Sequence, residues 1–204
     1  MGVEAVGQNV HKEKALANPF RIVGLNPTKT VAKQYLGDLQ YQVVAYKESR
    51  FRQFGIDHDF PLQGGDPNDI GMMQVNNPTD DDQIWHWKRN ADAGKRIFDQ
   101  KYSLAQRYHV DLQNGTVYRD HPVMEGWYGS RENPTRYAAT PLDDNQRVLD
   151  GFQRYNRGVF YRWIPNNPKK DPAGSGKWIA EPRNNYGNEA WDIYNGNLPS
   201  DWND

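Results

Sequence analysis

The chain has 204 residues, a length that suits one domain with its own hydrophobic core. Its 25 basic and 26 acidic residues give a net charge of -1, which offers no whole-chain field for binding nucleic acid. The absence of Cys excludes disulfides and cysteine-based zinc sites, and no apolar run is long enough to span a membrane. Only seven of the acidic residues are Glu, so the setting of each Glu is informative.

The first 78 residues predict a lead-in, one helix and one long loop. Residues 1–27 form the lead-in and end in an Asn-Pro turn signal, after which Thr28 can cap a helix. Apolar residues then recur about every four positions as far as Glu48, which predicts a single helix of roughly twenty residues. Residues 55–78 are rich in Gly, Pro, Asn and Asp and predict a loop. Ordered loops of that length are usually functional.

The rest of the chain predicts three more helices and a hairpin. Thr79 and the acids after it predict the start of a second helix, which runs to about Tyr108. Asn114-Gly115 lies between short apolar alternations and predicts a type I′ hairpin. The later predicted elements are a loop at 121–139, a helix from Pro141 to Gly158, a surface loop at 165–176 and a helix at about 183–195. The predicted fold class is therefore α+β, predominantly α-helical, with a small inserted hairpin.

Glu48 is the most informative acid, because it falls at the C-terminal end of the first predicted helix and Ser49 follows it. Burial and the negative end of a helix dipole both raise the pKa of a carboxyl group. A carboxylic acid kept protonated near neutral pH is what a general acid for glycosidic cleavage requires. A solvated Glu in a last helical turn is the alternative that its position leaves open.

Three further segments follow Glu48 in order: Gly71–Gln74 (GMMQ), Asn90–Gly94 (NADAG) and Arg154–Gly158 (RYNRG). Each alone also fits core packing, a helix surface or an ordinary helix stop. Together with the last predicted helix, the ordered set resembles the lysozyme-like superfamily. The most similar members are the soluble lytic transglycosylases and the goose-type lysozymes, and the resemblance covers roughly residues 30–195.

The resemblance implies a lysozyme-like catalytic domain at residues 28–204 that acts on bacterial peptidoglycan. Glu48 would be the catalytic acid. The implied substrate-binding residues line or shape a sugar cleft: Ser49, Met73, Gln74, Asn90, Tyr155, Asn156 and Tyr186. No cofactor or metal is implied. The chain departs from the family pattern most clearly at Arg154, where a small residue is usual, which indicates a remodelled cleft.

Two aspartates bear on the type of reaction. Goose-type lysozymes position water with an Asp just ahead of their Gly-Leu-Met-Gln segment, whereas lytic transglycosylases use the substrate's own hydroxyl. Asp66 occupies that place, Asp69 is an alternative, and turn chemistry explains both equally well. We therefore expect a muramidase that cleaves the β-1,4 bond between N-acetylmuramic acid and N-acetylglucosamine. The alternative is a lytic transglycosylase that forms 1,6-anhydro ends.

Two alternative functions would use the same fold: a non-catalytic peptidoglycan-binding module and a chitinase-type enzyme. The start of the sequence, MGVEAVGQNVHKEK, lacks the apolar stretch of a secretory signal. We therefore expect a domain of a larger secreted or phage protein, such as an effector toxin or an endolysin. It would act in the bacterial periplasm or cell wall on glycan strands. A secreted effector would also be expected to have an immunity protein as a partner.

Overall fold

The computed structural model describes residues 24–56, 60–116, 135–167 and 170–203. About 47% of these residues lie in six helices, and two small antiparallel hairpins supply the strands, so the α+β class is confirmed. Over the same ranges, none of the helices has the length and hydropathy that a membrane crossing needs. The chain divides into two compact units: unit 1 is Met1–Ile97 with Asp192–Asp204, and unit 2 is Phe98–Trp191.

Unit 1 begins with two helices, α1 (Lys29–Leu36) and α2 (Leu39–Ser49), where the sequence predicts one. The hydroxyl of Thr28 caps α1 by accepting from the backbone N–H of Val31 at 3.2 Å, as expected. Gly37 then takes a φ of 78°, a conformation that glycine adopts without strain, and this ends α1. The prediction of a continuous helix was wrong because the apolar spacing persists across a backbone break.

The predicted loop at 55–78 contains a small hairpin. Strand β1 (Asp69–Ile70) pairs antiparallel with β2 (Val75–Asn76), with Ile70 opposite Val75. Both of these apolar side chains are buried, so the pairing is stabilised by packing as well as by the ladder. The sequence did not reveal it because strands of two residues are too short to show alternation.

The predicted second helix is two helices. The carboxylate of Asp80, not Thr79, caps α3 (Asp81–Trp85) by accepting from the backbone N–H of Gln83 at 2.8 Å. His86 is extended and separates α3 from α4 (Trp87–Asn114), which is longer than predicted.

The hairpin predicted at Asn114-Gly115 was wrong. Asn114 is the last residue of α4, and Gly115 follows it with a φ of 69°, a common way to end a helix. The alternation of Val110 and Leu112 mimics a strand, but Tyr108 and Leu112 are four residues apart and share a buried helix face. The second half of that predicted hairpin lies outside the described residues.

Unit 2 contains the rest of α4, then α5 (Asp144–Asn156) and a long hairpin. A capping box formed by Asp143 and Gln146 starts α5, so the predicted start at Pro141 was wrong. The predicted surface loop at 165–176 was also wrong, since β3 (Tyr161–Asn167) pairs antiparallel with β4 (Asp171–Ala180) there. Helix α6 (Tyr186–Tyr194) follows the hairpin.

The core of unit 2 is aromatic and explains why the hairpin forms. Trp163 and Trp178 are cross-strand partners, and their rings meet edge to face with centroids 5.3 Å apart. Trp178 packs against a buried cluster that contains Tyr108, Leu112, Tyr137, Ala139 and Trp163. This packing overrides the Gly- and Pro-rich composition of the hairpin.

Candidate active site

Glu48 lies in the last turn of α2, and its side chain is partly buried. Arg50 and Phe51 follow with φ values of 58° and 63°, a left-handed conformation that residues other than glycine rarely adopt. Phe51 is fully buried, and its N–H donates to the carbonyl of Ala45 at 3.3 Å. The chain therefore turns sharply just after Glu48, and buried contacts fix the turn.

The segment Gly71–Gln74, which joins β1 to β2, is held by two side chains from the end of α2 and the turn after it. The hydroxyl of Ser49 donates to the carbonyl of Met72 at 2.7 Å. The side-chain oxygen of Gln53 accepts from the N–H of Met72 at 3.0 Å, and its amide donates to the carbonyl of Ile84 at 2.7 Å. Ser49 is only 4% exposed and Gln53 is fully buried, so these bonds are shielded from water.

Asn90 holds the same segment from α4. Its side-chain oxygen accepts from the N–H of Met73 at 2.8 Å, and its amide donates to the carbonyls of Ile70 at 2.8 Å and Gln83 at 3.0 Å. Asn90 is fully buried. Of the two roles that the resemblance implies for this residue, the structure therefore favours holding the geometry over touching a sugar.

Replacing Asn90 by Ala is expected to lower the free energy of unfolding by about 2–4 kcal/mol, because two buried backbone groups and one partly buried carbonyl lose their partner. Urea unfolding measures the change. Asn145→Ala, at an exposed position in α5, is the matched control and is expected to change stability by less than about 0.5 kcal/mol. An Asn90→Ala protein as stable as that control would contradict the anchoring role.

Met73 and Gln74 differ in what they can offer a ligand. Met73 is fully buried against Gly94, where an added Cβ would lie 2.3 Å from the Cβ of Met73. With its side chain in the core and its N–H bound by Asn90, Met73 has no exposed face for a sugar ring. Gln74 is partly exposed, and its amide donates to the carbonyl of Gly71 at 2.7 Å. Gln74 is therefore the one residue of this segment that is not fully buried, although its side-chain oxygen is buried and has no hydrogen-bond partner.

Asp66 and Asp69 both have local hydrogen bonds. The carboxylate of Asp66 accepts from the N–H of Asn68 at 3.0 Å, and its carbonyl accepts from the N–H of Asp69 at 2.9 Å. The carboxylate of Asp69 accepts from the side-chain amide of Asn76, its cross-strand partner, at 2.7 Å. Both side chains are partly exposed. Asp66 therefore stabilises a turn and Asp69 a cross-strand contact, and the water-positioning role of each stays a prediction.

In unit 2, the predicted residues Tyr155 and Asn156 end α5, and Tyr186 begins α6. The Tyr155 ring packs against Phe98 with centroids 6.2 Å apart. Asn184 links Asn156 to Tyr186. Its amide donates to the side-chain oxygen of Asn156 at 2.8 Å, and its own side-chain oxygen accepts from the N–H of Tyr186 at 3.2 Å. No sequence pattern singles out Asn184 as a functional residue.

Arg154, the departure from the family pattern, belongs to the interior of unit 2. Its Nε donates to the carboxylate of Asp150 at 2.6 Å, and its guanidinium lies over the ring of Tyr108 at 4.7 Å. The same carboxylate accepts from the N–H of Phe160 at 2.6 Å. The side chains of Asp150 and Arg154 are 0% and 5% exposed. Their four-residue spacing on a predicted helix is a signal that could have revealed the pair.

Unit 1 thus places the partly buried residue Glu48 beside a backbone that buried contacts hold in place. Ser49 ends the helix that contains Glu48, and the buried Phe51 fixes the turn after it. Buried hydrogen bonds from Ser49 and Asn90 hold the Gly71–Gln74 segment. Such support is what a positioned acid requires. Within the described residues, no group of three or more His, Cys, Asp or Glu side chains could hold a metal ion. No protein-family model, curated protein or solved structure matches the chain.

Proposed function

We propose that the chain cleaves peptidoglycan glycan strands at the β-1,4 bond between N-acetylmuramic acid and N-acetylglucosamine, with Glu48 as general acid. The observation that supports this most is the hydrogen bond between Ser49 and Met72, which ties the helix end bearing Glu48 to the Gly71–Gln74 segment. In the lysozyme-like proteins that the chain resembles, these two elements meet at the sugar cleft. A lysozyme-like fold is part of the same proposal.

In the proposed reaction, the Glu48 carboxyl group donates its proton to the glycosidic oxygen as the bond to carbon 1 of muramic acid breaks. N-acetylglucosamine leaves with that proton on its new hydroxyl. Water then attacks the oxocarbenium-like centre, and Asp66 or Asp69 accepts the proton that the water loses. Before the next turnover, that aspartic acid releases its proton to solvent and Glu48 takes one up, so both groups return to their starting states.

Transglycosylation is the second candidate, favoured by the local hydrogen bonds that Asp66 and Asp69 already make. In this reaction the hydroxyl on carbon 6 of muramic acid attacks carbon 1 in place of water. Its proton returns to Glu48, so no second carboxylate is needed. The product carries a 1,6-anhydro end.

Mass spectrometry of the muropeptides released from purified sacculi tests the proposal. Hydrolysis yields reducing ends, whereas transglycosylation yields products one water lighter. Tight binding to sacculi without any release would replace the proposal with a non-catalytic binding module. Turnover of N-acetylglucosamine oligomers without muramic acid would replace it with a chitinase-type activity.

Asp66→Asn is expected to lower the rate of hydrolysis about tenfold to a hundredfold, because the amide cannot accept a proton from water. If Asp66 only shapes its turn, the same loss is expected instead in Asp69→Asn. Release of reducing ends is the measured quantity, and Asp82→Asn, at an exposed site in α3, is the control. Full hydrolysis rates in both variants would exclude these carboxylates as the base.

We further propose that the protein acts in the bacterial periplasm or cell wall, as part of a secreted effector or a phage lysin. Glycan strands are its partner, and a secreted form would have an immunity protein. Loss of turbidity in cells that direct the chain to the periplasm, but not in cells that retain it in the cytoplasm, is the expected result.

A further inference from the structure

We propose that Asp201 and Trp202, here called the latch, are positioning residues for Glu48. They hold the end of α2 and the left-handed turn after it, and thereby orient the helical turn in which Glu48 lies. This inference depends on the proposed function, because Glu48 has a catalytic role only there. Both latch residues and Glu48 belong to unit 1.

Asp201 binds two residues that flank Glu48 in the sequence. The hydroxyl of Tyr46 donates to one carboxylate oxygen of Asp201, and Nε of Arg50 lies 3.9 Å from the other. The guanidinium of Arg50 also lies over the Tyr46 ring, 4.3 Å from its centroid. The backbone carbonyl of Asp201 accepts from Nζ of Lys29 in α1. The carboxylate of Asp201 thus links Tyr46, two residues before Glu48, to Arg50, two residues after it.

Trp202 covers the strained turn. It is 5% exposed, and its ring packs on Tyr46 and on Phe51 with centroids 5.2 and 5.4 Å away. A left-handed φ at Phe51 persists only if surrounding contacts over-determine it. The backbone carbonyl of Trp202 accepts from Nζ of Lys33 at 3.2 Å, and that amino group also donates to the side chain of Asn203 at 2.7 Å. The latch is therefore hydrogen-bonded to α1 and packs against the turn after α2.

The protonation states of the latch pair are constant near neutral pH. Burial, and next the hydrogen bond to Asp201, raises the pKa of Tyr46 to about 12. The hydrogen bond from Tyr46, and also the charge of Arg50, hold the pKa of Asp201 below its usual range. Because the folded pKa of Asp201 is lowered, its contribution is present at neutral pH and is lost only as the pH falls through that lowered value. Near neutral pH, Tyr46 therefore keeps the proton that it donates to a charged Asp201 carboxylate.

A latch that only stabilises unit 1 and a latch that positions Glu48 predict different kinetics. Stabilisation alone leaves kcat unchanged in variants that are still folded. Positioning lowers kcat at constant KM, because the proton is delivered from the wrong place while the sugar still binds. Since Asp201 is exposed, Asp201→Ala is expected to remain folded. Trp202→Phe keeps an aromatic contact and provides the conservative replacement.

The kinetic test compares these variants on a soluble muropeptide substrate, after thermal unfolding has shown that each is folded at the assay temperature. Asp201→Ala and Trp202→Ala are expected to lower kcat about tenfold to a hundredfold with KM changed by less than about twofold. Trp202→Phe is expected to recover most of the loss. Asp192→Ala, an exposed Asp in α6, is the control and should match the wild type. An unchanged kcat in folded Asp201→Ala overturns the positioning role.

A second readout separates failure of the latch from failure of the proposed function. Carbon-13 NMR of the Glu48 carboxyl group gives its titration midpoint without any substrate. We expect Trp202→Ala, which removes no charge, to shift that midpoint and Trp202→Phe to leave it nearly unchanged. If the wild type releases no muropeptides, the proposed function fails, and the titration alone then decides whether the latch reaches Glu48. An inactive wild type with the same Glu48 midpoint in both variants overturns the latch.

Discussion

Replacing Glu48 by Gln is expected to slow muropeptide release about a hundredfold to ten-thousandfold, which is the usual contribution of a general acid. Gln has nearly the same shape as Glu but cannot donate the proton that the leaving oxygen needs. The backbone around the residue depends on Ser49, Gln53 and Asn90, none of which the substitution changes. The Glu48→Gln protein is therefore expected to fold normally.

The measurement is the release of soluble muropeptides from sacculi, alongside thermal unfolding of each protein. Glu181→Gln is the matched control, because its carboxylate forms only a partly exposed ion pair with Arg162 at 2.7 Å. The control is expected to keep wild-type activity. If folded Glu48→Gln also keeps wild-type activity, Glu48 has no part in the reaction, and the proposed function is contradicted.

Local signals predicted elements well where a cap and an apolar face coincide. The start of α1 at Thr28 is an example. They failed where a distant contact decides the structure. Nothing local distinguishes the segment around Gly176 from a loop, because its strand is stabilised by the pairing of Trp163 with Trp178. The Asn114-Gly115 pair fits both a hairpin and a helix end, and the buried face of α4 selects the latter.

The candidate site shows the same difference between what local signals predict and what distant contacts decide. The position of Glu48 at a helix end was evident from the sequence, because apolar spacing locates the helix. Sequence could not show that Met73 and Asn90 are fully buried, since burial depends on which segments pack together. The contact between Tyr46 and Asp201 was equally hidden, because 155 positions separate the two residues. Residue types led to the proposed chemistry, and only the packing separates side chains that could touch a substrate from those that hold the backbone.

Asp150→Asn is expected to lower the free energy of unfolding by about 3–5 kcal/mol, the usual cost of breaking a buried ion pair on one side. Asn keeps an oxygen that can accept from the N–H of Phe160, so the main loss is the charge opposite Arg154. Arg154 is then left buried without a counter-ion. Urea unfolding, with Asp144→Asn as the matched control, measures the effect. Asp144 pairs with Arg147 but is 89% exposed at its side chain, so its loss should cost less than about 1 kcal/mol.

The double variant Asp150→Asn/Arg154→Met provides the stricter test of the same pair. Met fills much of the volume of the Arg side chain and needs no counter-ion, so the double variant is expected to be more stable than Asp150→Asn alone. Simple addition of two damaging substitutions predicts the opposite order. If the double variant is the less stable protein, the cost lies in packing around Tyr108 and not in the unpaired charge. If it is the more stable one, the unpaired charge of Arg154 accounts for the cost of Asp150→Asn.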